Sequence, residues 1–250
     1  MGRLDNRVAV ITGGAKGLGR AAALRLASEG AQIGIVDMAD AGETVAAVKK
    51  AGGVAEAWKA DTTDEDQVNQ TFQEIGQRFG GRIDILVNNA GILAPRKAWN
   101  EWTKKDLARY AEVNYLGYFN CTKAAYPFMK GGEHGRVINV ASRTFFMGNA
   151  GQLPYVASKG AVTGLTWNLA KELGEDGITV NAVMPGMVPT EGSREINPGS
   201  EIFERLVQGQ AIKKQVMPEH LAGLIAFLAS DDAALISGQS IIMDGGGYLH

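Results

Sequence analysis

The sequence has few of the residues that build disulfides and metal centres. One of the 250 residues is cysteine, Cys121, which excludes an internal disulfide and fits a reducing compartment. The three histidines, His134, His220 and His250, lie far apart and lack the close spacing of metal ligands. We therefore expect neither a disulfide-stabilised secreted domain nor a metalloenzyme, and we predict no bound metal.

Long apolar runs and an excess of one charge are also missing. No apolar stretch reaches the roughly 18 residues of a transmembrane helix, and the opening M-G-R-L-D-N-R has no signal-peptide core. The net charge is −2 with mixed signs, so the chain has no basic stripe of the kind that binds nucleic acid. We expect a cytoplasmic protein that acts on a small molecule, without nucleic-acid or membrane partners.

The length and the apolar pattern indicate a single α/β domain over residues 1–250. Short apolar runs alternate with longer segments of helical period, which is typical of a parallel sheet with helices on both faces. Right-handed crossovers then give a doubly wound Rossmann fold, for which we predict seven strands. Ligands of such folds bind outside the carboxyl ends of the strands.

The pattern also places the individual elements. Strands are expected at 8–12, 32–36, 54–60, 84–88, 136–141, 178–184 and 240–243. Helices are expected at 18–28, 41–50, 64–79 (capped by Thr63), 103–130 (as one or two helices), 155–173 and 218–229. Residues 187–217 are predicted to be irregular apart from a short helix near 201–207, and a segment of this length is typical of a lid over a substrate site.

Glycine is abundant, with 33 residues, and the most informative glycines lie in T-G-G-A-K-G-L-G at 12–19. This segment directly follows the first strand and opens the first helix. Glycines there let the backbone approach a pyrophosphate, and a helix N-terminus favours negative charge. The spacing is G-x-x-x-G-x-G, although Gly17, Gly19 and Ala22 also satisfy G-x-G-x-x-A. We predict nucleotide binding by Gly13, Lys16, Gly17, Leu18 and Gly19.

Asp37 closes the second strand, where dinucleotide folds place an acid that binds the adenosine ribose. A carboxylate there repels a 2′-phosphate and so favours NAD over NADP. Lys16 has the opposite tendency, because a lysine beside the phosphate loop attracts a 2′-phosphate. We give Asp37 more weight and predict NAD as the cofactor. Asp61 and Thr62 end the third strand and are predicted either to hold the adenine edge or to form a plain capping turn.

Asparagines follow the fourth strand and interrupt the next helical stretch. In N-N-A-G at 88–91, the amides are suited to linking neighbouring strands, while Ala90 and Gly91 leave room for a cofactor. Asn114 lies in a helical stretch although asparagine is a mediocre helix former. An asparagine that breaks helical order can expose a carbonyl to a water molecule, and the alternative is a solvent-facing residue.

Tyr155 and Lys159 are four residues apart in P-Y-V-A-S-K-G, so on a helix they share one face. A phenol has an ordinary pKa of about 10, and a nearby ammonium lowers it by favouring the ionised form. Such a pair can exchange a proton near neutral pH, as alcohol–carbonyl chemistry requires. Ser142 lies thirteen residues upstream. The alternative is a surface lysine that happens to follow an aromatic residue.

Taken together, these motifs closely resemble the short-chain dehydrogenase/reductase family, in its short single-domain branch. They are T-G-x-x-x-G-x-G at 12–19, N-N-A-G at 88–91, Asn114, Ser142, Tyr155-x-x-x-Lys159 and Pro185-Gly186, and their order matches the family from about residue 5 to 246. The resemblance implies that Tyr155 is the acid and base and that Lys159 lowers its pKa and binds the nicotinamide ribose. It also implies that Ser142 hydrogen-bonds the substrate oxygen and that Asn114 holds a water for proton transfer.

The resemblance extends to further cofactor contacts and to assembly. It implies that Val188 presents its backbone to the nicotinamide carboxamide, with Thr190 in support. The complete set expected at the cofactor then adds Asn89, Ala90, Gly91, Tyr155, Lys159, Pro185, Gly186, Val188 and Thr190 to the residues named above. Family members often form tetramers, so we expect a homotetramer in which residues 248–250 can reach a neighbouring subunit.

The residues around Ser142 indicate the kind of substrate. They form a bulky, partly aromatic wall, which suits a secondary, aromatic or cyclic alcohol better than a small sugar. The residues expected at the substrate are Ser142, Arg143, Thr144, Phe146, Gln152, Tyr155 and Met187. Leu93, Trp99 and Met184 are expected to add to the wall, and the alternative for Leu93, Trp99, Gln152, Met184 and Met187 is packing in the core or the lid. Within the family the pattern is most similar to phenylethanol and pyridoxal dehydrogenases. Arg143 directly follows the serine and is expected either to bind an anionic substrate group or to point to solvent or a subunit contact.

The sequence thus predicts an NAD(H)-dependent oxidoreductase that interconverts an alcohol and its carbonyl compound. Within enzymes, the alternative is an NADPH-dependent carbonyl or 3-ketoacyl reductase. An alternative from another class is a non-catalytic NAD-sensing protein on the same fold. The complete set of Ser142, Tyr155, Lys159 and Asn114 argues against a sensor, which does not need a proton relay.

Overall fold

The computed structural model describes residues 2–199 and 201–249. In this part of the chain, seven parallel strands form one sheet in the order β3-β2-β1-β4-β5-β6-β7. The strands are β1 Val8–Thr12, β2 Gln32–Asp37, β3 Ala55–Lys59, β4 Ile85–Asn88, β5 Arg136–Val140, β6 Thr179–Pro185 and β7 Ser240–Met243. The strand order reverses between β1 and β4, so the crevice beside these two strands is the expected ligand site. The predicted doubly wound Rossmann fold is confirmed.

Helices cover both faces of the sheet, which explains why its central strands are fully buried. The helices are α1 Gly17–Ser28, α2 Gly42–Lys50, α3 Glu65–Arg78, α4 Lys104–Ala111, α5 Gly117–Met129, α6 Thr144–Met147, α7 Leu153–Glu172, α8 Glu191–Ile196, α9 Glu201–Gly209 and α10 Pro218–Ala229. One apolar core lies between the sheet and α1, α2 and α10. The other lies between the sheet and α3, α5 and α7.

Two predicted elements differ from the structure in ways that have a local cause. Asp64, and not Thr63, caps α3, because the Asp64 carboxylate accepts a hydrogen bond from the Gln67 N–H at 3.0 Å. Thr63 instead donates to Asp61 through both its N–H and its hydroxyl. The stretch predicted as one or two helices at 103–130 is α4 and α5 joined by a π-helical segment, Glu112–Leu116.

The segment predicted to be irregular contains more helix than expected. Besides α9, it holds α8, which begins where the Thr190 hydroxyl accepts a hydrogen bond from the Ser193 N–H. Val188 and Val216, at the two ends of the segment, are buried in one small cluster with Leu221. The ends of the segment are thus fixed to the domain. No helix in the described part of the chain is long and apolar enough to cross a membrane.

Candidate active site

Ser142, Tyr155 and Lys159 come together at the carboxyl end of β5. Ser142 lies two residues beyond the strand, and Tyr155 and Lys159 lie in the first two turns of α7. All three side chains are buried. Ser142 Oγ accepts hydrogen bonds from the Thr144 hydroxyl at 2.9 Å and the Thr144 N–H at 3.2 Å. These two hydrogen bonds orient the Ser142 hydroxyl, which can still donate its own proton to another acceptor.

The Lys159 ammonium is held in the interior by two oxygen atoms. It donates to the Val140 carbonyl at 2.7 Å and to the Tyr118 hydroxyl at 3.2 Å. Tyr118 in turn donates to the same carbonyl at 3.1 Å. Burial disfavours the charged amine and lowers the pKa of Lys159 to about 7. The lysine therefore gains and loses its proton near neutral pH.

The Tyr155 phenol responds more to burial than to the lysine. Burial raises the pKa of Tyr155, and a hydrogen bond with Ser142 lowers it in part. Lys159 Nζ is 5.9 Å from the centre of the Tyr155 ring and is directed to Val140 and Tyr118. In this arrangement Ser142 is the group that favours the phenolate, and the lowering of the Tyr155 pKa by Lys159 stays a prediction.

Asn114 lies in the π-helical segment, where the helix departs from its regular hydrogen bonding as the sequence predicted. Such segments occur frequently at functional sites. The side chain is fully buried, accepts from the Ile92 N–H at 2.8 Å, and donates to Ser158 Oγ at 3.1 Å. It is not the solvent-facing residue of the alternative. A Cβ atom added at Gly91 would lie 3.0 Å from Asn114 Oδ1 and 3.7 Å from Lys159 Nζ, so Gly91 keeps the space beside both residues open.

The glycine loop is closely packed against the loop after β4. Asn89 Nδ2 donates to the carbonyl oxygens of Thr12 and Gly13 at 3.0 and 2.9 Å. Gly13 has a φ of +66°, and a Cβ atom at Gly19 would lie 2.1 Å from the Gly13 carbonyl oxygen. The loop therefore requires glycine at these positions. Ala90 also joins this contact, because its N–H donates to the Thr12 hydroxyl at 3.1 Å.

The outer part of the glycine loop faces the start of the lid segment. Gly17 has a φ of +59°, and its missing side chain would lie 3.5 Å from Thr190. Leu18 packs against the small cluster that contains Val188. The Val188 carbonyl accepts from Ser193 Oγ at 2.7 Å, and the Thr190 side chain caps α8. These residues lie together, and the Val188 carbonyl and the Thr190 hydroxyl have partners within the chain. Their contact with the nicotinamide stays a prediction.

Asp37 lies at the end of β2 and is directed to the glycine loop. Its carboxylate accepts from the Ala15 N–H and from the Ala39 N–H, both at 2.9 Å. Lys16, at the N-cap of α1, is exposed and makes no side-chain capping bond. The acid is therefore fixed at the expected ribose position, whereas the lysine side chain extends into solvent.

Asp61 and Thr62, which follow β3 after Ala60, serve local structure. The Asp61 carboxylate accepts from the Thr63 N–H and hydroxyl, both at 2.9 Å, which forms the capping turn of the alternative prediction. Thr62 is buried, and its hydroxyl lies 2.8 Å from the Cβ position of Gly117 in α5. Its carbonyl accepts from Asn120 Nδ2.

The residues expected at the substrate are divided between the site and the core. Gln152 donates to the Ala94 carbonyl at 2.9 Å, and Met187 is half-buried after Pro185-Gly186. Phe146 stacks on Tyr248 with ring centres 5.7 Å apart. Met184 is wrong as a wall residue because it is fully buried in the core, and Trp99 is 77% exposed.

Arg143 lies in an environment that the sequence did not suggest. Its guanidinium donates to the Asp244 carboxylate at 2.6 Å, and both residues are buried. An internal carboxylate thus neutralises the charge, which disfavours the predicted binding of an anionic substrate group by Arg143. Of the alternative, a side chain directed to solvent is wrong because Arg143 is buried, whereas a subunit contact stays a prediction.

The structure adds Tyr118 and Asp244 to the residues identified from the sequence. Tyr118 follows Asn114 by four positions, and this helical spacing is the signal that places both on the same face. For Asp244 the sequence carries no signal, because its partner Arg143 is 101 residues away. Of the C-terminal residues expected to reach a neighbour, Tyr248 lies on Phe146 of its own chain, Leu249 is exposed, and His250 is outside the described residues.

The arrangement fits a dinucleotide. The glycine loop opens α1 at the strand-order reversal, and Asp37 and Lys159 lie at the ends of β2 and beside β5, on the same edge of the sheet. A side chain at Gly17 would reach Thr190, and a side chain at Gly91 would reach Lys159. The spaces left open at these two glycines line the path from the glycine loop to Lys159. Over residues 2–199 and 201–249, no group of His, Cys, Asp or Glu residues is placed to hold a metal ion.

Known proteins resemble the whole chain. The family model described as enoyl-(acyl carrier protein) reductase matches residues 13–248. A 3-oxoacyl-[acyl-carrier-protein] reductase of Synechocystis sp. is 38% identical, with 98% of each chain covered. The (2S)-[(R)-hydroxy(phenyl)methyl]succinyl-CoA dehydrogenase subunit BbsD of Thauera aromatica is 39% identical, also with 98% of each covered.

Solved structures give the same result. A short-chain dehydrogenase/reductase of Serratia marcescens is 37% identical and superposes with a TM-score of 0.90, over 98% of this chain and 99% of that one. A short-chain dehydrogenase of Burkholderia cenocepacia in complex with NADP is 33% identical, with a TM-score of 0.90 over 98% and 99%. The sequence motifs, the fold and these likenesses agree. The chain therefore belongs to the short-chain dehydrogenase/reductase family, whose fold binds a nicotinamide cofactor, and it is an oxidoreductase.

Proposed function

We propose that the chain interconverts a 3-oxoacyl thioester and the corresponding 3-hydroxyacyl thioester. The observation that carries the proposal is the full-length likeness to the Synechocystis and Thauera proteins. Their names each describe an oxo or hydroxy group on an acyl chain held by a carrier. This reaction corresponds to the 3-ketoacyl reductase that the sequence left open as an alternative. We rank it above the oxidation of an aromatic or cyclic alcohol, which the sequence favoured.

The site residues supply proton transfer and charge stabilisation for this reaction. A bound nicotinamide supplies the hydride in reduction and accepts it in oxidation. Tyr155 gives its phenolic proton to the carbonyl oxygen in reduction and takes it back in oxidation. Ser142 donates a hydrogen bond to the same oxygen as charge develops there. Lys159, with a pKa of about 7, exchanges protons near neutral pH beside Asn114 and Gly91.

We further propose that the cofactor is NAD(H). The Asp37 carboxylate is fixed at the end of β2 by the Ala15 and Ala39 N–H groups. A 2′-phosphate near this carboxylate would meet a like charge that cannot move away. Asp40 adds a second acid three residues later, where its carboxylate accepts from the Gly42 N–H. The Burkholderia complex with NADP keeps NADP(H) as the alternative to be tested.

A second candidate is the oxidation of an aromatic or cyclic secondary alcohol. Phe145 and Phe146 follow the serine, with ring centres 5.1 Å apart, and Phe146 stacks on Tyr248. Aromatic groups of this kind bind flat rings well. The Thauera relative, whose name contains a phenyl group, is compatible with both candidates.

The two candidates are separated by steady-state kinetics with acetoacetyl-CoA and 1-phenylethanol, each with both cofactors. We expect kcat/KM for acetoacetyl-CoA with NADH to exceed that for 1-phenylethanol with NAD+ by about 100-fold, which corresponds to about 2.7 kcal/mol in the transition state. Tyr155→Phe should lower kcat by at least about 100-fold while cofactor binding persists. Tyr126→Phe is the matched control. It removes a tyrosine hydroxyl that lies on the far side of α5, where it donates to Asp176.

Each alternative has its own result. A larger kcat/KM for 1-phenylethanol would favour the alcohol dehydrogenase, and a preference for NADPH would contradict the role given to Asp37. Tight cofactor binding without turnover of any substrate would indicate the NAD-sensing protein. Turnover of Tyr155→Phe within tenfold of the wild type would remove the acid–base role of this tyrosine.

A further inference from the structure

The C-terminal segment, residues 244–248, links the catalytic serine to the end of the lid. On one side, Arg143 Nη1 donates to Asp244 Oδ2 at 2.6 Å. On the other, the Ile212 and Ala211 N–H groups donate to the carbonyls of Gly245 and Gly246 at 2.8 and 3.2 Å. The segment therefore contacts two parts of the site that are distant in the sequence.

The Arg143–Asp244 ion pair is buried, and the Asp244 carboxylate is hydrogen-bonded through both of its oxygen atoms. Arg143 is 7% exposed and Asp244 is 3% exposed. The second carboxylate oxygen of Asp244 accepts from the Gly246 and Gly247 N–H groups, both at 3.0 Å. Burying two charges costs several kcal/mol per ion unless hydrogen bonds compensate, and removal of one partner leaves an uncompensated charge.

Two glycines form the space that holds the guanidinium. A Cβ atom at Gly186 would lie 3.5 Å from Arg143 Cζ and 2.9 Å from Asp244 Cβ. A Cβ atom at Gly247 would clash directly with Arg143 Nη1. Since Gly186 precedes the residues expected at the nicotinamide, the ion pair lies where the serine, cofactor and lid segments meet.

The ion pair is connected to Ser142 through the backbone. Arg143 directly follows the serine, and its N–H donates to the Pro185 carbonyl at 3.4 Å. Thr144, the next residue, donates both of its hydrogen bonds to Ser142 Oγ. Phe146 then stacks on Tyr248 of the same C-terminal segment. Anchoring the Arg143 side chain therefore fixes the turn that aims the serine hydroxyl.

We propose that Arg143 and Asp244 are positioning residues that hold Ser142 in hydrogen-bonding contact with Tyr155. The proposal rests on the catalytic roles given above to Ser142 and Tyr155. It assigns the C-terminal segment a part in catalysis, because the segment supplies the carboxylate. A displacement of about 1 Å in a catalytic group costs on the order of 100-fold in rate.

A substrate-free NMR experiment tests the contact itself. The full chain is labelled with [13Cζ]tyrosine, the Tyr155 resonance is assigned with Tyr155→Phe, and spectra are recorded at pH 8. Loss of the serine hydrogen bond in Ser142→Ala gives the reference shift. We expect Arg143→Met and Asp244→Asn to move the resonance to that position, and Arg143→Lys to restore part of the wild-type shift. Asp244→Asn keeps an acceptor for the Gly246 and Gly247 N–H groups, so it reports even if Arg143→Met does not fold.

Arg7→Met is the matched control. Arg7 is also buried and pairs with Asp231 at 2.6 Å, but it lies before β1, at the opposite edge of the sheet. We expect this variant to lose stability and to keep the wild-type Tyr155 resonance. A wild-type resonance in both Arg143→Met and Asp244→Asn, or an equal shift in Arg7→Met, would overturn the proposal.

Kinetics with the substrate that the wild type turns over give the second readout. We expect kcat of Asp244→Asn to fall by about 100-fold, with KM for the cofactor within about threefold. Loss of the serine hydrogen bond raises the pKa of Tyr155, so the alkaline limb of kcat in reduction should move to higher pH. An unmoved limb would indicate a merely structural role. Because the NMR result needs no substrate, it stands whether or not an oxoacyl thioester is turned over.

Discussion

Lys159 shows how a single residue sets stability against function. Its native pKa is about 7, whereas an unfolded lysine has a pKa of about 10.4. Between these values the unfolded state binds the proton and the native state does not, so this lysine makes stability rise with pH. The burial of the amine therefore costs stability at neutral pH, and it places a group that titrates near pH 7 beside Tyr155.

Replacing Lys159 by methionine should remove this dependence. At pH 7.5 we expect Lys159→Met to have a larger free energy of unfolding than the wild type. The wild type gains stability as the pH rises, so this difference should shrink by about 1.4 kcal/mol at pH 8.5. Urea denaturation at the two pH values measures the difference. Lys123→Met is the control, because Lys123 is an exposed lysine paired with Glu65. A difference for Lys159→Met that stays constant with pH would show that the native lysine remains charged.

The proximity of the candidate catalytic residues Tyr155 and Lys159 could be predicted because they are close together in the sequence. Tyr155 and Lys159 share a helix face by their spacing alone. The partner of Arg143 could not be predicted, since Asp244 is 101 residues away and only the pairing of β5 with β6 and of β6 with β7 brings the two residues together. The partners of Lys159 could not be predicted either, because the spacing does not reveal that the Val140 carbonyl and the Tyr118 hydroxyl bind the lysine.

At the scale of elements, the glycine loop depends on close packing with the loop after β4. We predict that Gly19→Ala raises the cofactor dissociation constant by at least about 100-fold, or about 2.7 kcal/mol. The added Cβ would lie 2.1 Å from the Gly13 carbonyl oxygen and 2.6 Å from Asn89 Nδ2, so the loop must move. Titration of protein fluorescence with NADH measures the constant.

A glycine in an open position provides the control for this substitution. A Cβ at Gly164 in α7 would meet no atom within 4 Å. Gly164→Ala should therefore keep cofactor affinity and raise stability by about 0.5–1 kcal/mol through helix propensity. Wild-type affinity in Gly19→Ala would mean that the loop can relax without disturbing the site.

Element boundaries were predictable where a strong local signal exists. Pro218 begins α10 as expected, because proline suits the first turn of a helix. Asp37 ends β2, also as expected. Thr63 and Asp64 are both good caps, and only the structure shows that the aspartate binds Gln67. The sequence around Asn114 has no hydrophobic pattern that is specific to a π-helix. An interruption of the α-helix was therefore predictable, but a π-helical segment was not.

At the scale of the molecule, the alternation of strands and helices sufficed to predict the sheet, since parallel strands need helical crossovers. The side of the sheet that holds the site followed from the same rule. The choice of cofactor depends on charge at one point of this edge. Asp37 and Asp40 lie there with fixed carboxylates, while Lys16 is exposed.

Ligand-linked stability of the whole domain measures that choice. A ligand at 100 times its dissociation constant stabilises the native state by about 2.7 kcal/mol, which in a domain of this size raises Tm by about 5–10 °C. We expect NADH to give this shift and NADPH at the same concentration to give a smaller one. Asp37→Ser should reduce the difference, because removal of the fixed carboxylate removes the repulsion of the 2′-phosphate while its Ala15 contact is lost from both complexes. An equal or larger shift with NADPH in the wild type would mean that Lys16 and not Asp37 governs the ribose site, since both complexes differ only by the phosphate that these two side chains would meet.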